Sequence, residues 1–232
     1  MRRFAFAFVL SIISFVAICQ DSIIDYRDTT YYHIIKIGKQ TWLAENVHYL
    51  PLVNFADSID EDNMYSPKYF VYGYRQNDLH EAKSTSEYIT YGVLYNRAAA
   101  ENACPFGWHL PSESEWQTLE RFLGLKGADF KEFGYRGQDQ GSRIAGKAEL
   151  WIDERITSSY AFGSIGFDAL PGGYRGKEGK FHDIGLRACF WSKTDYSDGE
   201  AYFRAVQSST TMIYRQHNSY GNAMSVRCIS DF

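Results

Sequence analysis

Three cysteines stand behind a leader built for export, and that pairing of features constrains the fold more than any other part of the sequence. Arg2 and Arg3 give a positive start. Phe4 to Ala17 is mostly apolar, interrupted only by Ser11 and Ser14, and polar sequence begins at Gln20 and Asp21. The apolar run is short of the ~20 residues that span a bilayer and has the layout of a secretory signal. Ala17-Ile18-Cys19 places small residues at both recognition positions, so residues 1–19 are expected to be removed before Gln20. Val16-Ala17-Ile18-Cys19 also resembles a lipoprotein box, and lipid on Cys19 is the alternative. In an oxidising compartment Cys104, Cys189 and Cys228 form an odd set, which implies one disulfide and one unpaired thiol. Three pairings are open, and spacing does not choose among them. There is no CxxC, so neither a zinc ribbon nor a thioredoxin-type site is expected.

Beyond the leader, residues 20–232 read as a single domain with no linker and no further stretch apolar enough to cross a membrane. The chain is 45% hydrophobic with 19 Gly and 5 Pro, which excludes collagen-like and disordered classes. Loss of Arg2 and Arg3 with the leader takes the net charge from -4 to -6. With no basic run, a nucleic-acid partner is not expected. Ile34 to Ile37 and Thr41 to Ala44 flank Gly38-Lys39-Gln40 as a hairpin. Residues 50–90 carry no clear period and read as a long loop with short strands. Tyr95 to Ala103, with its three consecutive alanines, reads as a helix that Pro105 stops. Ser112-Glu113-Ser114-Glu115 is a capping box. Trp116, Leu119 and Phe122 then recur at helical spacing, with Leu123 beside them, up to Gly124 as the left-handed cap. Later strands look short and glycine-punctuated, with candidates at Ala201 to Val206 and Ser225 to Ile229. Helices early and strands late indicate an α+β fold.

The segment Ile35-Lys36-Ile37-Gly38-Lys39-Gln40-Thr41-Trp42-Leu43-Ala44-Glu45-Asn46 resembles the opening signature of the Fibrobacter succinogenes major paralogous domain. The pattern continues in order through Tyr91-Gly92-Val93-Leu94-Tyr95 and Cys104-Pro105-Phe106-Gly107-Trp108-His109-Leu110-Pro111-Ser112. Gly141 to Gly146, Gly166 to Arg175, Phe190-Trp191-Ser192 and Ser225-Val226-Arg227-Cys228 follow. The resemblance covers roughly 25–232. It implies a C-type-lectin-like fold, related to formylglycine-generating enzymes, with two main helices, short twisted antiparallel strands and long irregular loops. In such folds a cysteine on an early helix bonds one on the last strand, which here is Cys104 with Cys228. Cys189 is then an apolar, unpaired residue.

The chemistry expected from the residues is recognition rather than catalysis. All five tryptophans sit in motif blocks or the amphipathic helix and are expected to pack. The aromatic candidates for a contact surface are Tyr65, Tyr69, Tyr72 and Tyr74, outside the dense blocks. Tyr174 and Arg175 close the Pro171-Gly172-Gly173 turn, where backbone N–H groups and a guanidinium can meet an anion. The alternative there is a tight turn with Arg175 bonding loop carbonyls. Asp57, Asp60, Glu61 and Asp62 lack EF-hand spacing, and the calcium-lectin motifs Glu-Pro-Asn and Trp-Asn-Asp are missing. The six histidines form no HxxxH or HExxH, and His109 is read as a hydrogen-bonded structural residue. No GxSxG anchors a nucleophile, and no close cysteine pair matches the copper site of the formylglycine-generating relatives. No cofactor and no metal are expected. The leading reading is an exported, non-catalytic binding or adhesion module for a surface or cell-wall glycan or an envelope protein. The alternatives are an envelope-assembly protein that binds only protein, and a degenerate enzyme scaffold.

Intact mass of the exported protein tests the leader. A chain starting at free or cyclised Gln20 is expected, and a lipid on Cys19 would replace secretion by anchoring.

Overall fold

The computed structural model describes residues 22–57 and 63–232. The leader, Cys19 and the acidic positions Asp60, Glu61 and Asp62 lie outside the described residues. The strands are β1 (Ser22–Asp25), β2 (Thr30–Ile37), β3 (Gln40–Leu43), β4 (Tyr69–Phe70), β5 (Leu94–Asn96), β6 (Trp108–His109) and β7 (Gly134–Arg136). They continue as β8 (Gly172–Arg175), β9 (Phe181–Ile184), β10 (Arg187–Ser197), β11 (Glu200–Gln207), β12 (Ile213–Ser219), β13 (Ala223–Met224) and β14 (Ile229–Ser230). The helices are α1 (Leu79–Ser84), α2 (Ser86–Tyr91), α3 (Arg97–Ala100), α4 (Glu113–Phe122), α5 (Gln140–Ile144) and α6 (Glu154–Thr157). Strands thus outweigh helices in an α+β arrangement of two sheets. The smaller runs β1-β2-β3-β14-β6. The larger runs β4-β5-β13-β8-β10-β11-β12-β7, with β9 added to β8.

The β2–β3 hairpin forms as expected, with Ile37 opposite Gln40 and Gly38-Lys39 as its two-residue turn. Helix α4 also forms as expected. Ser112 Oγ accepts from the Glu115 N–H, and Glu115 reaches back to the Ser112 N–H. At its other end Gly124 (φ +95°) places its N–H on the Arg121 carbonyl and the Leu125 N–H on the Glu120 carbonyl, a Schellman closure. Trp116, Leu119 and Leu123 are buried, but Phe122 is half exposed, because it falls outside the arc those residues share. Its ring covers Gly38 instead, where an added Cβ would lie 2.8 Å from it.

Several expectations need correction. Tyr95 and Asn96 belong to strand β5, so the helix expected over Tyr95 to Ala103 shrinks to the single turn α3, capped by the Asn96 side chain on the Ala99 N–H. Residues 50–90 are not only loop. Asp78 caps α1 through the Glu81 N–H and Thr85 caps α2 through the Tyr88 N–H. In place of two main helices there is one of ten residues, α4, and the other α-helices described have four to six. The late strands β10 to β12 are not short, and β10 is the longest of those described. β10 and β11 have 11 and 8 residues and meet at the tight Asp198-Gly199 turn, an Asp-Gly pair suited to a two-residue hairpin loop. The strand expected over Ser225 to Ile229 does not form: only Ile229 lies in a strand, and the expected segment falls between two short ones. β13 pairs in the large sheet and β14 in the small one, and Ser225 to Cys228 carries the chain between them.

The centre of the large sheet is buried on both faces. Along β11 Ala201, Phe203 and Ala205 face one core with Cys189, Trp191, Tyr95 and Met224. Val206 faces a second core with Trp42, Trp116, Phe167 and Phe190. A strand covered on both sides reads as a continuous apolar run, as Ala188-Cys189-Phe190-Trp191 does.

Two adjacent residues secure the crossing segment. Cys228 is bonded to Cys104, with Cα atoms 5.8 Å apart across a separation of 124 residues; in the chain-entropy model such a closure stabilises by about 5 kcal/mol. Cys189 is buried and unpaired, and burial pushes its thiol up to about 12. Arg227 is fully buried. Its Nη1 donates to the carbonyls of Ala44 (2.8 Å), Leu43 (3.3 Å) and Phe167, and its Nη2 to Asn46 Oδ1 (2.8 Å) and the Asp168 carbonyl (3.2 Å). The plane lies 4.4 Å from the Phe167 ring. Burial pushes this guanidinium down to about 9, with Glu45 and Asp168 acting the other way, and it stays protonated at neutral pH.

Replacing Arg227 by Leu leaves those acceptors buried without donors. A loss of at least about 3 kcal/mol is expected in urea unfolding. Arg227→Lys should not restore it, because an ammonium lacks the planar fork that reaches both segments.

Candidate functional site

The tip of the β10–β11 hairpin gathers aromatic and charged side chains on both of its faces. Its pairing is irregular, with register shifts between Trp191 and Asp195 and again before Ser197; bulges of this kind re-aim side chains. Asp195 points to one face and Tyr196 to the other.

On the first face stands Arg97, placed at the start of α3 by the Asn96 cap. Its side chain is almost wholly buried and binds Glu101 through Nη1, and the Lys193 carbonyl and Asp195 Oδ1 (3.1 Å) through Nη2. The guanidinium lies 5.5 Å from the Tyr220 ring. Burial, and then a hydrogen bond to Asp195, pushes the Tyr220 phenol up. Tyr65 meets Tyr220 edge to face at 5.8 Å and donates to Asp198 Oδ1 at 2.9 Å, while 58% of it remains exposed. Tyr65, Arg97, Ala98, Glu101, Asp195 and Tyr220 enclose a cleft of about 150 Å³. Across the β12–β13 turn lies a second cleft, of about 280 Å³, lined by Tyr174, Lys177, Glu178, Asn218 and Asn222. There the Tyr174 ring stacks on His182 at 5.0 Å.

The residues proposed from sequence therefore separate. Tyr65 and Tyr174 line clefts on either side of one turn. Tyr69 is half-buried in β4, edge-on to Tyr95 at 5.9 Å, and Tyr72 packs on Phe181 at 5.0 Å. Tyr74 is buried and donates to Glu81 Oε2 at 2.8 Å. Arg175 is fully buried in β8. Its Nε and Nη2 donate to the Ala56 carbonyl (2.9 and 2.7 Å), and its plane lies 4.0 Å from the Phe70 ring. It faces inward because β8 sits between β13 and β10, where a side chain on that face meets protein. Gly173 (φ +66°) has the His182 carbonyl 2.2 Å from where a Cβ would be, so that turn is a close backbone packing. His109 bonds Glu115 Oε1 (2.7 Å) and Asp231 Oδ1 (2.5 Å), tying the capping box of α4 to the last residues.

The second face of the tip carries residues that sequence reasoning missed. Tyr196 lies on His217, nearly parallel at 3.7 Å, and Phe133 lies parallel to Tyr202 at 6.2 Å. Phe133 and Tyr196 are 42% and 45% exposed. The Asp198-Gly199 turn was the available signal, since it fixes the register that sets Tyr202 beside Tyr196 on one side and His217 on the other. Arg215 lies 4.7 Å from Phe133 and 4.5 Å from Tyr202.

A buried ionic network holds this platform. Arg215 Nε donates to Glu113 Oε1 (2.6 Å), and Arg204 grips Glu113 through both terminal nitrogens (2.9 and 3.0 Å). Arg204 Nε and Arg136 Nη2 both donate to Glu120 Oε1 at 2.6 Å. Desolvation pushes the Glu113 carboxyl up, but Arg204 and Arg215 outweigh it and hold it below its usual 4.5. Among the described residues no three His, Cys, Asp or Glu side chains gather as a metal-ligand set, and no helix is long and apolar enough to cross a membrane.

The family model described as Fibrobacter succinogenes major domain matches residues 35–230. Neither a curated protein nor a solved structure matches the chain.

The lowered Glu113 carboxyl gives a pH dependence with a definite sign. Its stabilisation is complete above about pH 4.5, the unfolded value, and is lost as pH falls through the lower folded value. Urea midpoints measured from pH 6 downward should fall steeply below that point, and Glu113→Gln should be less stable at pH 6 and flatten the fall.

Proposed function

This chain belongs to the Fibrobacter succinogenes major domain family, and we propose that it is an exported, non-catalytic binding module that takes a saccharide of a cell-surface or cell-wall glycan at the β10–β11 tip. The observation that carries this reading is the Tyr65 cleft. An exposed ring, fixed by Asp198 and Tyr220, stands beside two carboxylates and a guanidinium that are themselves held in place. A ring face offers stacking to the C–H side of a sugar. Glu101 and Asp195 accept from hydroxyl groups, and charge-assisted hydrogen bonds of this kind are the stronger ones. The platform of Tyr196 and Phe133 on the other face extends the aromatic surface around the same hairpin.

A lectin-like architecture agrees with the mixed sheet-and-helix fold and with the bond from Cys104, just after α3, to Cys228, just before the last strand. Export agrees with that disulfide. The degenerate-enzyme alternative gains no support from Cys189. A thiol raised to about 12 in an apolar core is a poor nucleophile or metal ligand at neutral pH.

A glycan array with the wild type and Tyr65→Ala tests the proposal. Binding to a related set of glycans is expected, weakened about tenfold by the substitution, with thermal stability unchanged because the ring is largely exposed. An empty array, together with recovery of a discrete envelope protein in a pulldown, would replace the saccharide by a protein partner.

A further inference from the structure

The β12–β13 turn divides two clefts, and neighbouring residues of the chain line them. Ser219 belongs to the larger, of about 280 Å³, and Tyr220 to the smaller, of about 150 Å³. The turn is tight. The Asn222 N–H donates to the Ser219 carbonyl (3.0 Å) and the Gly221 N–H to Ser219 Oγ (3.3 Å). Met64 and Lys177 pack against it, so that a Cβ at Gly221 would lie 3.2 Å from Lys177 Cβ and 3.8 Å from Met64 Cβ. Bonded neighbours such as Ser219 and Tyr220 have Cα atoms about 3.8 Å apart, so a ligand chain that passes over the turn enters both clefts.

The larger cleft holds a polar group set aside for a ligand. Asn222 lines it and is only 7% exposed. Its Oδ1 accepts from the Lys177 N–H at 2.7 Å. A backbone N–H can only donate, so the amide is oriented with its oxygen inward and its NH2 group toward the cleft. Among the described residues no protein group accepts from that NH2, whereas a polar group this deeply buried is ordinarily paired. Asn218 repeats the arrangement, with its Oδ1 on the Ser219 N–H (3.0 Å) and its NH2 group unpaired among the described residues. Facing these donors is a fixed acceptor. Glu178 Oε1 meets His182 Nε2 at 2.5 Å, and the carboxylate folds over Gly176, where a Cβ would come within 2.2 Å of both oxygens. Tyr174, stacked on His182, adds a ring to the wall.

Oriented donors beside a fixed acceptor and a ring match the hydroxyl groups of a sugar, each of which both donates and accepts. The charges of the two clefts nearly balance, with Glu101, Asp195 and Glu178 against Arg97 and Lys177. That favours an uncharged chain over an acidic or a basic one. We propose that the two clefts are adjoining subsites for one uncharged oligosaccharide, with one sugar on Tyr65 and another of the same chain between Asn218, Asn222 and Glu178. The module then recognises a stretch of polymer and not a single terminal sugar. This rests on the saccharide reading of the Tyr65 cleft. A second sugar linked to the first binds with its translational freedom already lost, so modest contacts in the larger cleft raise the affinity for the whole chain.

Cello-, manno- and xylo-oligosaccharides of one to six units test it, titrated into the exported protein and followed by protein NMR. In at least one series the longest chain should bind about tenfold or more tightly than the single sugar. Its longer members alone should shift the side-chain NH2 signals of Asn218 and Asn222. Asn222→Asp keeps the oxygen that holds the Lys177 N–H and removes the NH2 donor, and Asn218→Ala removes the other donor on the half-buried wall. Each should cancel most of the gain with length while single-sugar binding stays as it was. Tyr65→Ala should weaken every length. Equal affinity at all lengths, still weakened by Tyr65→Ala, would overturn the paired subsites and leave the Tyr65 cleft standing. So would a gain with length that neither asparagine variant reduces. Failure of all three series to bind would overturn the uncharged oligosaccharide, and a glycan bound equally by wild type and Tyr65→Ala would remove the saccharide reading of that cleft itself.

Discussion

One buried guanidinium holds the point where the chain passes from the large sheet to the small one. Among the described residues no carboxylate is in hydrogen-bond contact with Arg227. Its two terminal nitrogens donate to carbonyls of two segments, 43–44 and 167–168, and to the Asn46 side chain, while its buried Nε has no partner among the described residues. Those segments leave β3 and approach β8, so the same group sets the spacing of both sheets around the second core. A fully desolvated cation is expensive, and a planar fork with five donors is the side chain that can repay the cost through hydrogen bonds to the backbone. The Cys104–Cys228 bond acts next to it on the unfolded chain, shortening the loop that must close before these carbonyls can meet their donor.

On the second-core side of the large sheet a different electrostatic solution serves a different end. Glu113 and Glu120 lie on the buried side of α4 between Arg136, Arg204 and Arg215. The network clamps α4 to β11 and β12 and carries the constraint out to the surface, because Arg215 also touches Phe133 and Tyr202. The aromatic platform is therefore braced from inside. Tyr65 and Tyr220 are braced on the opposite face by Arg97 and its two acids. Ring surfaces held in this way lose little side-chain entropy when a ligand settles on them.

Local chemistry was readable wherever a few neighbouring residues decide the outcome. The Ser112 capping box, the Gly124 closure and the Gly38-Lys39 turn are of that kind. The same rules, applied to Asp78 and Thr85, find α1 and α2, but the weak apolar period around them hides the signal. The single turn at Arg97 to Ala100 shows the opposite case. Alanine propensity argues for a longer helix, yet Leu94 to Asn96 is claimed by pairing with β4 and β13. Arg175 shows it for a site residue, since a guanidinium beside a glycine turn reads as an anion ligand until β8 is found between two other strands.

By itself the sequence determined an α+β chain with a capped amphipathic helix and, through its ordered motif blocks, its family, and the resemblance implied the pairing of Cys104 with Cys228 that the structure shows. Those features rest on local backbone preference and on residue order, which a linear chain carries in full. Only the tertiary structure decided which tyrosines face water, that Tyr196, Tyr202, Phe133 and His217 form one surface, and that Tyr65 and Tyr174 line clefts on either side of one turn. Each of those depends on register between strands far apart in the chain. A shift of one residue in that register turns every side chain to the other face of the sheet.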